Sequence, residues 1–540
     1  MDDERAASRP RMSGKAAERP ARTDNDAASF DEETYLRFNP DVRQAVSNGV
    51  FKTGREHFDR YGRAEGRPFR KLGRDSRNQV VLAGYVNAIA EQPKARPCGI
   101  ESLRLSGTGG IFLTGWVDDA VDPLDSVDLY FFGWAVSLDA AVLARSRRVD
   151  VESALGNVAR HAYGFWGFLF AGRVLIAGQC TGVVRLKSGA ETGFVLQPEI
   201  VTDHALRKLA CGYLAVTKFF GRPMQAAVAS IAGGIGAQLV GLNRAVVRQL
   251  VAAPYVERFG AGRQHYAASL IVCLYGRPEF LFLQCAVLAR QAAMRDCELI
   301  YVCNSPQLAD QVLREARLAA LVYGIDLTVI IPGGNAGLAG ANNLAAREAR
   351  SDRLVFMHPD VLPRDAETLA RHAAIVAERP AAETDLFGAA LVHDNGALAQ
   401  AGRYFELEAT PELDGGLLRL ADYGQGAPAD AAAFLRPRPV LALSSAFMSV
   451  NRLWFERLDG FNEDYVFAGY EDADFCMKSL AQSRPAWLHG LSFWHTEGGS
   501  TRLRQHEGGA IVNRWLFTRN WRENLTRSLL GAEPALGGPA

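Results

Sequence analysis

The sequence predicts an α/β protein of several domains, in which a mostly parallel sheet covered by helices on both faces follows a β-sandwich-like domain and a small helical module. Three observations lead there. At 540 residues the chain is too long for one ordinary core. From Ala267 onward, short apolar runs alternate with helical stretches, the pattern of strand–helix–strand crossovers. Between Ile100 and Val201 the runs are shorter and closely spaced, as in antiparallel strands.

Residues 1–28 are polar, rich in Arg, Ala and Asp and without periodicity, and read as a disordered tail. Residues 30–70 read as a small helical module. Asp31 precedes Glu32, Glu33, Tyr35 and Leu36, Pro40 suits a first helical turn, and Val42–Val46 and Phe58–Tyr61 keep helical spacing. The string from Tyr35 to Phe69 resembles a short helical module of bacterial surface-polysaccharide and secreted proteins. It carries no obvious chemistry, so a packing or docking role is favoured and His57 reads as a packed or capping histidine.

Residues 98–202 form the sandwich-like domain, with strands at Ile111–Val117, Val127–Phe132, Tyr163–Phe170, Val174–Ala177 and Gly182–Leu186. Its aromatics (Trp116, Tyr130, Phe131, Tyr163, Phe165, Trp166) suit a core first and a sugar-binding face second. Residues 203–258 read as a helical linker. The uncharged stretch between Arg222 and Arg244 has nearly the length of a membrane span, but Gln225, Gln238 and its glycines favour a buried or interfacial helix.

Composition narrows the function. Lys+Arg and Asp+Glu are each 60, so there is no basic surplus of the kind a nucleic-acid binder carries. No two of the 8 cysteines form a C-x-x-C pair and several lie in apolar runs, which points to reduced, buried thiols. The N-terminus lacks the apolar stretch of a secretory signal.

The chemistry is expected in residues 265–525. Ser269–Leu274, Glu298–Cys303, Leu327–Ile331 and Asp352–Met357 read as parallel strands, and ligands of such sheets sit at the strands' carboxyl ends. After the first strand comes Tyr275-Gly276-Arg277-Pro278, and after the second Asn304-Ser305. After the third comes the glycine-bearing loop Asn335-Ala336-Gly337 through Asn342-Asn343, and after the fourth His358-Pro359-Asp360. Farther on stand Gly460–Leu480, with the acids Glu471, Asp472 and Asp474, and the string Trp494-His495-Thr496-Glu497-Gly498-Gly499-Ser500-Thr501.

Taken in order, these blocks resemble glycosyltransferase family 2, the inverting nucleotide-sugar enzymes with a Rossmann-like sheet, over about residues 266–501. The resemblance implies a nucleotide-sugar donor held by Tyr275, Arg277, Asn304, Asn335, Gly337, Asn342 and Asn343. It implies a divalent cation, Mn²⁺ or Mg²⁺, on Asp360 and His495, with His358 a less secure ligand because the family commonly has an acid there. Asp472 takes the place of the catalytic base, Glu471 orients acceptor or loop, and Asp474 reads as structural. Cys303 stands where the family usually has the base-reading Asp, which leaves the nucleotide open. The resemblance further implies a glycan, lipid-linked or protein acceptor in bacterial surface polysaccharide or glycan assembly. The expected location is cytoplasmic, with peripheral association at the inner face of the membrane left open. Two other classes stay open: a non-catalytic nucleotide- or sugar-binding protein that keeps the fold, and an N-terminal scaffold with a transferase appended.

Overall fold

Four near-continuous runs of Leu, Ile, Val and aromatic residues form the parallel heart of the second half of the chain. In the computed structural model these are Ala268–Leu274, Cys297–Cys303, Leu327–Ile331 and Arg353–Met357, almost wholly buried. Such runs belong to strands covered on both faces. The structure describes residues 30–62, 78–82, 98–131, 134–155, 161–173, 178, 180–216, 228, 231–379, 384–410, 413–496 and 504–531. The expected tail over 1–28, residues 63–70 of the helical module and the expected strand at Val174–Ala177 lie outside them.

Ile271 pairs with Ile300 on one side and Phe356 on the other, so the first strand lies between the second and the fourth. The third pairs with the second. Helices Glu279–Leu288, Ala309–Tyr323 and Gly337–Glu348 make the crossovers. The middle one stops at Gly324, whose φ of 65° is open to glycine at little cost. Beyond the fourth strand the sheet changes character. Phe447–Asn451 runs antiparallel to both Arg353–Met357 and Leu386–Val392, and Ala486–His495 then pairs parallel to Leu386–Val392. The complete sheet has 11 strands, including antiparallel Tyr255–Phe259 at its first edge and Val361–Pro363 at its last. The Rossmann-like parallel part was legible from periodicity; the antiparallel flank was not, because an apolar run carries no sign of its direction.

Alternate residues of the strands face opposite layers. Leu270, Val272, Leu299 and Tyr301 pack with Leu281, Cys285 and Ala316 of the helices at Glu279–Leu288 and Ala309–Tyr323. On the other face Ile271, Ile300 and Phe356 share a core with Leu344, and with Leu206, Leu239, Val246 and Leu516. The last four belong to helices Asp203–Val216, Gly236–Val251 and Arg504–Gly531. Burying each such aliphatic side chain contributes about 1.5–3 kcal/mol. The segment expected to be a linker is therefore a layer of the sheet's own core.

The uncharged stretch joins that layer too: Ile231, Ile235, Leu239, Leu242 and Val246 are fully buried. Residues 223–227, 229 and 230 of it lie outside the described residues. Among the described residues no helix is long and apolar enough to cross a membrane.

In the preceding domain, Cys98–Ser106, Gly110–Val117, Gly164–Phe170 and Ala144–Ser146 pair antiparallel in one sheet. Leu124–Phe131, Cys180–Leu186 and Glu191–Leu196 pair antiparallel in another. Tyr130, Phe131, Tyr163, Phe165 and Trp166 are buried, so these aromatics serve the core and not a sugar-binding face.

The chain divides into two compact units, the smaller made of residues 1–74 with Val81–Ile89 and Gly133–Ala135. Within it, helices Glu32–Phe38 and Pro40–Ser47 enclose Tyr35, Val42 and Phe58. The Glu32 carboxylate accepts from Gly54 N at 2.6 Å and Arg55 N at 2.9 Å, capping the helix Gly54–His57. His57 is packed, its Nδ1 at 2.9 Å from the Tyr35 hydroxyl.

Candidate active site

Numbered along the chain, the four parallel strands lie in the spatial order 3-2-1-4. The order reverses between Ala268–Leu274 and Arg353–Met357, and the carboxyl ends at such a switch point are where open α/β sheets bind ligands. Tyr275, Asn304 and His358 each follow one of these strands directly.

The turn after the fourth strand is pinned from below. Gln284 Nε2 donates to the carbonyls of His358 at 2.8 Å and Val361 at 3.0 Å, and Tyr301 OH donates to Gln284 Oε1 at 2.7 Å. Val361 is in register with His495, so Asp360 meets the end of strand Ala486–His495. The His495 Nε2 and Asp360 Oδ1 atoms are 3.6 Å apart. One ligand atom from each of His358, Asp360 and His495 lies within 4.8 Å of the others. His495 Nδ1 is buried without a hydrogen-bond partner. Burial pushes the His358 imidazole below its ordinary range, against the pull of Asp360 and Asp472. A neutral imidazole is the form that ligates. Two imidazoles and a carboxylate converging in a half-buried turn fit a divalent cation, and His358, the less secure expectation, belongs to the set.

The second cluster sits at the start of helix Glu471–Ala481. The loop before it is strained: Phe467 and Tyr470 have φ of 60° and 76°. Two asparagines hold it there. Asn243 Nδ2 donates to Glu463 O at 2.8 Å. Asn513 accepts from Val466 N at 2.6 Å and donates to Val466 O at 3.0 Å. Asp472 is buried, and its Oδ2 accepts from Arg403 Nη1 at 2.9 Å and Ser445 N at 3.1 Å. Arg403 Nε donates to Asp422 at 2.9 Å. Glu471 is 2% exposed and its Oε2 has no partner. Burial, with Asp472 beside it, pushes the Glu471 carboxyl up to about 8. Asp474 accepts from Tyr465 OH at 3.1 Å and Trp521 Nε1 at 2.7 Å, the structural place expected for it. The two clusters meet at residues 445 and 446: Ser445 N donates to Asp472 at 3.1 Å, and His358 N donates to Ala446 O at 3.0 Å.

On the donor side, Asn304 spends both amide hydrogens within the protein, on Asn335 Oδ1 at 3.0 Å and Gly337 O at 3.2 Å, and accepts from Ala336 N at 2.8 Å. In this arrangement Asn304 shapes the loop. Gly337 has φ of 75°, and a Cβ there would lie 2.8 Å from Phe467 O, so the loop needs glycine for conformation and for space. Tyr275 sits beside the loop cluster, its ring centroid 5.5 Å from that of His506.

Three expected donor contacts stand differently. Arg277 pairs with Glu279 and lies 4.9 Å over the Phe280 ring. Asn343 donates to Phe461 O at 2.8 Å and accepts from Phe461 N at 2.9 Å, and lines a separate cleft of about 660 Å³ with Leu354, Arg452 and Lys478. That cleft reaches Leu354 near the start of the fourth parallel strand, away from the carboxyl ends. Asn342 is buried. The Glu497–Thr501 string lies outside the described residues.

Sequence reasoning missed Arg403, Ser445, Gln284 and Arg207. Each reaches the site across the fold, and none carries a local motif that could have marked it.

No family model and no curated protein matches the chain. Two solved structures overlap it in part. One is a mannosyltransferase from Pyrobaculum calidifontis in complex with GDP-Man and Mn²⁺, at 16% identity and a TM-score of 0.33, covering 60% of this chain and 89% of that one. The other is GalNAc-T7 with UDP, GalNAc and Mn²⁺, at 13% identity and a TM-score of 0.34, covering 47% of this chain and 48% of that one.

Proposed function

We propose that this chain is an inverting glycosyltransferase of the family 2 kind, moving a sugar from a nucleotide-diphospho-sugar to an acceptor hydroxyl. The observation that carries the reading is the joining of a cation-binding set, His358–Asp360–His495, to a buried acid pair, Glu471–Asp472, through Ser445 and Ala446 at the switch point of a 3-2-1-4 sheet. A divalent cation there would neutralise charge gathering on the departing diphosphate. Two imidazoles in the set favour Mn²⁺ over Mg²⁺, which prefers oxygen ligands.

The chain's own residues do the rest. Asp472 takes the proton of the acceptor hydroxyl as its oxygen attacks the anomeric carbon. The bond from that carbon to the diphosphate oxygen breaks with its electron pair on the leaving group, and the configuration inverts. Arg403 and Ser445 N fix the Asp472 carboxylate. Glu471, protonated up to about pH 8, can donate to an acceptor oxygen and orient it. Tyr275 and the Asn335–Gly337 loop flank the donor. The acceptor class is a glycan, lipid-linked saccharide or protein of a bacterial surface polysaccharide or glycan pathway, met at the cytoplasmic face.

The test is a panel of nucleotide-sugars incubated with the full chain and Mn²⁺ in the presence of crude cellular acceptor, with nucleoside diphosphate release as the readout. Release abolished by EDTA and restored by Mn²⁺ is expected. A chain that binds nucleotides but never releases nucleoside diphosphate would instead be a non-catalytic binder.

A further inference from the structure

The helix Asp203–Val216 carries a buried cation into the donor half of the site. Arg207 is 0% exposed, although this helix precedes the first parallel strand. Its Nη1 donates to Asn243 Oδ1 at 2.7 Å, and its Nη2 to the carbonyl of Asn335 at 2.6 Å and to His204 Nδ1 at 3.1 Å. The guanidinium lies 4.5 Å over the Phe467 ring. All three acceptors are neutral, Nε is buried without a partner, and no carboxylate is paired with Arg207 among the described residues. Burial pushes the guanidinium down to about 10, with Cys211 and Tyr275 pulling the other way.

A buried charge with no counter-charge is costly, and structural arginines in cores are ordinarily paired. Apart from His204 on its own helix, its partners bear on the two loops: Asn335 belongs to the glycine loop, Phe467 to the strained loop before Glu471, and Asn243 clamps that same loop. The missing charge therefore falls beside the Asn335–Gly337 loop, which flanks the donor in the proposed function. In surroundings of low dielectric such a charge acts over several ångströms without contact.

We propose that Arg207 is a specificity-determining residue of the donor site, whose unpaired charge selects a diphosphate-bearing ligand from behind Asn335. This rests on the transferase reading for the identity of the anion, though not for the anion site itself. The helix Asp203–Val216 is then part of the donor site, and a catalytic fragment begun at residue 265 lacks it.

The experiment is equilibrium binding, in EDTA, of inorganic pyrophosphate, UDP, GDP and the uncharged nucleosides uridine and guanosine to the full chain. Wild type is compared with Arg207→Lys and Arg207→Gln, with thermal unfolding of each. Pyrophosphate, and one of the two nucleotides, should bind at least tenfold more weakly to Arg207→Gln and within about threefold of wild type to Arg207→Lys. Nucleoside binding should not change. Equal weakening in Lys and Gln, unchanged pyrophosphate binding in Gln, or a Gln variant that no longer folds would assign Arg207 a structural role and overturn the proposal. Pyrophosphate binding that depends on the Arg207 charge in a chain that binds no nucleotide even with Mn²⁺ added would uphold the anion site and sink the transferase reading. A wild-type chain that binds no anion in EDTA overturns the proposal, while the transferase reading stands or falls on the Mn²⁺-dependent release assay.

Discussion

Arg403 donates to Asp472 across 69 residues of sequence, with Nη1 and Oδ2 2.9 Å apart, and so a β-hairpin residue holds the carboxylate that the account makes the base. The pair is mostly buried, with side chains 20% and 6% exposed. Removing one partner of such a pair costs about 3–5 kcal/mol, most of it from the charge left alone. Arg403→Met should lower kcat by 100-fold or more while the KM for donor moves little, and Arg403→Lys should recover part of the loss. Steady-state kinetics with one active nucleotide-sugar check this; a loss confined to donor KM would place Arg403 on the donor side instead.

The cation set predicts graded metal affinity. Asp360→Asn and His495→Ala should each weaken Mn²⁺ binding on the order of 10–100-fold, the scale seen when even supporting groups of metal sites are lost. His358→Ala should do the same if all three residues ligate. Calorimetric titration of Mn²⁺ into the purified chain decides it, and an unchanged affinity in His358→Ala would restrict the set to the other two.

Gly337→Ala tests the donor loop. A side chain must adopt a φ of 75° and meet Phe467 O at 2.8 Å. The conformation alone costs about 1–2 kcal/mol. Denaturant unfolding should show a loss of at least that size, and nucleoside diphosphate affinity should fall about tenfold as the loop shifts.

Glu471 gives the stability of the empty chain a pH dependence. Its carboxyl is raised from 4.5 to about 8 in the folded protein, so the folded state holds the proton that the unfolded state gives up. The neutral group's contribution is fully present below about 4.5 and is lost as pH rises towards 8. Between those limits the unfolding free energy should fall with pH, and Glu471→Gln should flatten that part of the profile. A profile of unchanged slope in the variant would mean that Glu471 ionises normally in the folded chain.

The strands were legible because Ile271, Ile300 and Phe356 sit in runs that only a doubly covered sheet can bury. Asp360 and Asp472 were singled out through the resemblance of their motif blocks, not through local pattern alone, since acids in a first helical turn are common. What supports them was not legible. Nothing local to Arg403, Gln284 or Arg207 distinguishes them from surface or core residues, since their partners lie far along the chain. The loop-shaping bonds of Asn304 were not legible either, since Asn335 and Gly337 lie 31 and 33 residues away in sequence. The helices at residues 203–251 were read as a linker because amphipathicity tells that a face is buried and not against what.

The central claim is an inverting sugar transfer with Asp472 as base, and the anomeric configuration of the product tests it most directly. With an α-linked nucleotide-sugar, Mn²⁺ and an acceptor found in the release assay, proton NMR of the product should show the β-anomer. Asp472→Asn should form it at least 100-fold more slowly while still binding nucleoside diphosphate. An α-linked product, or an Asp472→Asn chain that transfers at the wild-type rate, would contradict the account.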